Sequence, residues 1–89
     1  MIYVITNRFF KVEGNPYGHI LRIVPIDHED LYEILYNWPS AVSEEAARVI
    51  KERWGWDITP NLSGFPRVKP GDTIVLVWPE AILEVSVIT

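Results

Sequence analysis

The segment Thr73-Ile74-Val75-Leu76-Val77-Trp78 constrains the fold more than any other part of the chain, because every position from Ile74 onward is apolar. In extended backbone successive side chains point to opposite faces. Val75 and Val77 would therefore occupy one side, with Ile74, Leu76 and Trp78 on the other. A strand apolar on both sides belongs inside a sheet that is covered above and below. Pro70-Gly71-Asp72 before it and Pro79-Glu80 after it are turn chemistry, so Ile82–Ile88 is expected to return as an antiparallel partner. Only 89 residues are available to build everything else. That length allows one domain, spanning residues 1–89, with a thin core.

Two further strands are expected near the start of the chain. Met1–Thr6 is rich in β-branched and aromatic residues. In His19–Pro25, Ile20, Arg22 and Val24 would share one face, and Leu21 and Ile23 the other. Between these strands, Gly14, Asn15-Pro16 and Gly18 mark a loop, with Phe9, Phe10 and Val12 apolar enough to extend a strand or cover a core edge. Helical patterns fill the middle of the chain. Asp27 is a suitable N-cap, and Leu31, Ile34, Leu35 and Trp38 fall on one stripe that Asn37, Pro39 and Ser40 bring to a close. Ser43 caps a second helix whose buried stripe is Ala46, Val49, Ile50 and Trp54, with Gly55 at the expected left-handed C-terminal position. Thr59–Gly64 reads as a loop and Phe65–Val68 as a short strand. The order implies an α/β domain, more strictly α+β. Its mixed four- to five-stranded sheet carries both helices on one face.

Two short helices cover only one face of such a sheet. The other face would expose a wide apolar surface, which calls for either a second subunit in a homodimer or the Lys11–Gly18 loop with Phe9 and Phe10 folded across it. Patch size favours the homodimer.

The chemistry-bearing residues are few. There is no cysteine, which excludes disulfides, thiolate metal sites and cysteine nucleophiles. His19 and His28 lack metal-pair spacing, and capping accounts for Asp27, Glu29 and Asp30, so no metal or cofactor is expected. The formal net charge of -4 disfavours duplex DNA. A DNA-binding regulator ranks third among the readings, because Arg48, Lys51 and Arg53 alternate with Glu44, Glu45 and Glu52. Arg8 after the first strand and Arg67 with Lys69 before the central one could meet at one end of the sheet as an anion pocket, joined by the Ser43 helix start. Trp38, Trp54 and Trp78 fit the apolar stripes as core residues, and Trp56 follows the helix-ending glycine. The longest apolar run is far short of the roughly 20 residues a membrane helix needs. Met1–Thr6 followed by Asn7-Arg8 does not read as a leader, so a cytoplasmic protein is expected.

Several segments, in order, resemble one small family. Ser40-Ala41-Val42-Ser43-Glu44-Glu45-Ala46-Ala47-Arg48-Val49-Ile50 is similar to that family's "S-A-I-G-H-x-A-T-A-x-L-L" helix start. MIYVITN resembles its first strand with a closing asparagine, Ile58-Thr59-Pro60-Asn61 its "V-P-x-N-R" loop, and Val68–Leu76 its "L-x-P-G-D" turn and following strand. The family is found mainly in archaeal viruses and takes its name from a protein of a turreted icosahedral virus. Among its members are viral type III anti-CRISPR ring nucleases. The resemblance implies a homodimer whose cleft holds a cyclic oligoadenylate, cleaved without metal by a phosphodiesterase reaction. It places the ligand-binding role on Asn7, Ser43 and Arg67, to which the anion-pocket reading adds Arg8. The family's Gly-His pair falls on Ser43 and Glu44, which makes Glu44 the candidate catalytic residue. A carboxylate there would need a raised pKa to protonate a leaving 5′-oxygen, and its charge would repel phosphate. Leu62 also stands in the place of the loop arginine. The implied protein is a relative with lost or altered cleavage in the host cytoplasm. The alternative is a non-enzymatic homodimer that binds a host or viral protein.

Overall fold

The computed structural model describes residues 1–6, 11–12, 20–64 and 66–88. Along the chain run β1 (Ile2–Ile5), β2 (Lys11–Val12), β3 (Leu21–Ile26), α1 (His28–Asn37), β4 (Ser40–Val42), α2 (Glu44–Trp54), β5 (Arg67–Val68), β6 (Thr73–Val77) and β7 (Ile82–Val87). The principal sheet has the order β3-β7-β6-β1-β4, and β2 with β5 forms a separate two-stranded ribbon. β1 runs parallel to both β4 and β6, whereas β7 is antiparallel to β6 and β3. The molecule is thus a small α+β domain with a mixed five-stranded sheet and two helices.

β6 lies third of five, as its two-sided apolar pattern requires. Ile74, Val75 and Val77 are fully buried and Leu76 nearly so. Val75 and Val77 join Val4, Val42, Leu31, Ala46, Ala47 and Ile50 in the core beneath the helices. Ile74 and Leu76 join Ile5, Val85, Val87 and Val68 on the opposite face, with Leu62 and Trp78 packed at its margin. The second face is therefore buried over β6 and β1 within the single chain, with Val68 of β5 among its packing partners. The expectation of an open face that a twin subunit must cover does not hold for this region. Phe9, Phe10 and residues 13–18, offered as the alternative cover, lie outside the described residues.

Local chemistry accounts for the element ends. Asp27 Oδ1 accepts the Asp30 N–H at 3.0 Å while Asp30 Oδ2 accepts the Asp27 N–H at 3.4 Å, a reciprocal capping box for α1. At the close of α2, Gly55 has φ +74, the left-handed conformation that favours glycine. Lys69-Pro70-Gly71-Asp72 is a turn closed by the Asp72 N–H on the Lys69 carbonyl at 3.0 Å, with φ +95 at Gly71. Buried Asp72 holds the same turn with its side chain, accepting the Lys69 N–H at 3.1 Å and facing the Met1 amine at 3.1 Å.

Two expectations change. Ser40 does not simply end the first helix, because Ser40–Val42 forms β4, a third parallel strand. Trp38 is not core. It is 58% exposed, whereas Leu31 on the same expected stripe is fully buried. The cause is Pro39, whose ring disfavours helical backbone at the preceding residue. Trp38 adopts φ -124 and ψ 140, which turns it off the helix.

Candidate functional site

β1, β4 and β6 run in parallel, so their carboxyl ends, near Thr6, Ser43 and Trp78, fall on one side of the sheet. Ligands of open α/β sheets gather at such ends, and the helix start singled out from the sequence lies there. Ser43 is buried, and both its backbone and its side chain are hydrogen-bonded. Its N–H donates to the Val4 carbonyl at 2.9 Å, and its carbonyl accepts the Ala47 N–H at 3.0 Å. Its Oγ accepts the Ala46 N–H at 3.1 Å. Glu44 follows, exposed in the first turn of α2. Asn7 and Arg8 lie outside the described residues. Arg67 is exposed on β5, against the face of the sheet opposite α2, so the sheet separates it from that helix. Trp78 Nε1 donates to the Thr6 carbonyl at 2.7 Å, and Arg53 donates to the Trp78 carbonyl at 3.0 Å. Much of the polar chemistry at this end is thus spent on joining elements.

A second location gathers more unspent chemistry. Tyr32 and Tyr36, one helical turn apart on α1, have ring centroids 4.5 Å apart. Tyr32 meets the edge of Trp56 at 5.2 Å, Trp56 stacks on Trp54 at 5.1 Å, and the Arg53 guanidinium lies 4.9 Å from the Trp54 ring centroid. The left-handed Gly55 folds the chain back so that Trp54 and Trp56 can stack. These two tryptophans also pack against the helix-side core. Beyond them, Tyr36 and Trp38 stand at a cavity of about 370 Å³ between α1, β4 and residues 57–61. Leu35, Val42 and Ile58 supply its apolar lining, and Asp57 its carboxylate.

Asn61 builds the edge of this cavity. Its Oδ1 accepts the Val42 N–H at 2.7 Å and its Nδ2 donates to the Ser40 carbonyl at 3.1 Å. The backbone N–H groups of Asn61 and Leu62 both donate to the Val42 carbonyl, at 3.0 and 3.1 Å. A side-chain amide thus stands in for a neighbouring strand and occupies the outer edge of β4. Asp57 is 85% exposed and pairs with Lys51 at 2.7 Å.

A smaller cavity, about 210 Å³, lies beside His28, Arg53 and Glu80. His28 is exposed in the first turn of α1, the place expected for a solvated helix start. Among the described residues no group of three or more potential ligands could hold a metal ion, and no helix is long and apolar enough to cross a membrane.

Of the residues lining the larger cavity, sequence reasoning placed Leu35 and Trp38 on the apolar stripe of the first helix, and Ser40, Val42 and Ile58-Thr59-Pro60-Asn61 in segments of the family resemblance. It gave no role to Tyr36 or Asp57 at the cavity, nor to Tyr32 beside them. The available signal was the four-residue spacing of two tyrosines off the apolar stripe of α1, which puts aromatic rings on a wet face. Comparison with protein-family models finds no match, and comparison with curated proteins finds none either.

Proposed function

We propose that this protein is a binding module that docks a protein partner through the flank formed by α1, β4 and residues 54–61. One observation carries the reading: Tyr32, Tyr36 and Trp38 are 48%, 49% and 58% exposed, and the last two line the cavity of about 370 Å³. Exposed aromatic side chains are costly to leave in water and are typical anchors of interfaces. Affinity capture from host extract should retain a partner on the wild-type protein and lose it on Trp38→Ala and Tyr36→Ala. Equal retention by all three would overturn the reading.

The homodimer belongs to the same proposal, at a different surface. β3 is a sheet edge among the described residues and carries Leu21 and Ile23 at 41% and 59% exposure, flanked by Ile20 and Ile88 at 61% and 52%. A second copy pairing there would cover them.

The second reading is a cyclic-oligoadenylate ligand at the carboxyl ends of the parallel strands. Its support is the resemblance together with the α2 start, where exposed Glu44 follows capping Ser43. Chromatography after incubation with cyclic tetra-adenylate tests cleavage, and calorimetry tests binding. Silence in both removes the ring-nuclease reading. Cleavage that disappears in Glu44→Gln would establish it over the first.

A further inference from the structure

We infer that the cavity between α1, β4 and residues 57–61 is a receptor for an arginine side chain of the partner, which takes the form of a basic peptide segment. The inference rests on the binding-module reading and names the chemistry of what is bound. Among the described residues lining the cavity there is one carboxylate, Asp57, and no cationic side chain. The two exposed rings at its mouth, Tyr36 and Trp38, present the electron-rich faces that attract cations. Leu35, Val42 and Ile58 offer apolar surface for the methylene stem of a long basic side chain. A volume of about 370 Å³ suits one such side chain and is at the small end for ligand pockets.

The molecule already carries an internal stand-in for the ligand. Lys51 Nζ lies 2.7 Å from Asp57 Oδ1, although both side chains are more than half exposed. Such exposed pairs are weak and readily exchanged, so Lys51 acts as a competitor that an incoming guanidinium displaces. Arginine fits better than lysine because its planar fork can pair with the carboxylate and stack on a ring at once. α1, which contributes Leu35 and Tyr36 to the lining, carries no basic residue in its last turn. An anionic ligand would meet the Asp57 carboxylate, whose cationic neighbour Lys51 is already paired to it.

The test titrates the whole protein with two blocked peptides, Gly-Arg-Gly-Arg-Gly and Gly-Glu-Gly-Glu-Gly, followed by calorimetry and by the Trp38 indole N–H resonance. The arginine peptide should bind and move that resonance, and the glutamate peptide should do neither. Trp38→Ala should weaken binding about fivefold or more, as expected for loss of a cation–ring contact. Lys51→Ala should tighten it about two- to fivefold by removing the internal competitor. The unchanged Trp54 and Trp56 resonances report that each variant is folded. No shift at millimolar arginine peptide, equal binding of the glutamate peptide, or weaker binding by Lys51→Ala would overturn the inference. If Trp38-dependent capture from extract persists while the arginine peptide is silent, the partner chemistry fails and the binding-module reading stands. If both are silent, both fall.

Discussion

Ser43 shows how one hydroxyl can be read for chemistry and turn out to be architectural. Its Oγ holds the Ala46 N–H at the start of α2, and Ser43→Ala should lower stability by about 1 kcal/mol in urea unfolding. Asp27 caps α1 in the same way, and the Asp30 N–H that it accepts holds its carboxyl below the ordinary value of 3.8. A lowered folded-state pKa contributes stability above the unfolded value, and that contribution is lost as pH falls through the folded one. An acid titration followed by circular dichroism should therefore show Asp27→Asn, which keeps the cap but cannot titrate, with a shallower loss at the acid end. Both caps were legible in the sequence because they depend on residues within three positions. Trp38 was not, because the stripe Leu31-Ile34-Leu35-Trp38 is decided by periodicity, while Pro39 decides where the periodicity stops.

At the scale of elements, the strands with long apolar runs and the helices with clear caps were recoverable, within a residue or two at the ends. β6 and its hairpin partner β7 are the clearest case. The Trp78 N–H donates to the Ala81 carbonyl at 2.9 Å, so Pro79-Glu80 forms the turn that the sequence marks. Ile74→Ala, at a fully buried position on the second face, should cost about 2–5 kcal/mol in chemical unfolding. β4 escaped notice because three residues between Pro39 and an N-cap have no period of their own. Its existence depends on β1 alongside and on Asn61 nineteen residues away from Val42. Asn61→Ala removes both side-chain bonds and leaves the Val42 N–H without its acceptor, which should cost about 1–3 kcal/mol. Cavity binding should weaken with it, since Ser40 and Val42 line the same space.

Across the whole molecule, both faces of β6 are buried by a single chain, so dimerisation is not required to shield the central strand. The proposed homodimer instead uses the β3 rim. The Ile88 N–H donates to the Ile20 carbonyl at 2.8 Å, and the β3–β7 register follows from that pair. The alternation turns the backbone groups of Arg22, Val24 and Ile26 toward β7 and those of Leu21, Ile23 and Pro25 outward. Pro25 therefore interrupts no bond to β7. Sedimentation should find a species of twice 10.3 kDa for the wild type and a lone 10.3 kDa particle for Ile23→Lys. A lone particle in both would remove the homodimer. The amide of Asn61 gives this a consequence for assembly. Among the described residues of the principal sheet, the β4 rim is occupied by Asn61 and the β3 rim carries no further strand, so a second copy pairing at β3 would leave neither rim of that sheet for a third. Growth through that sheet would terminate at a closed pair.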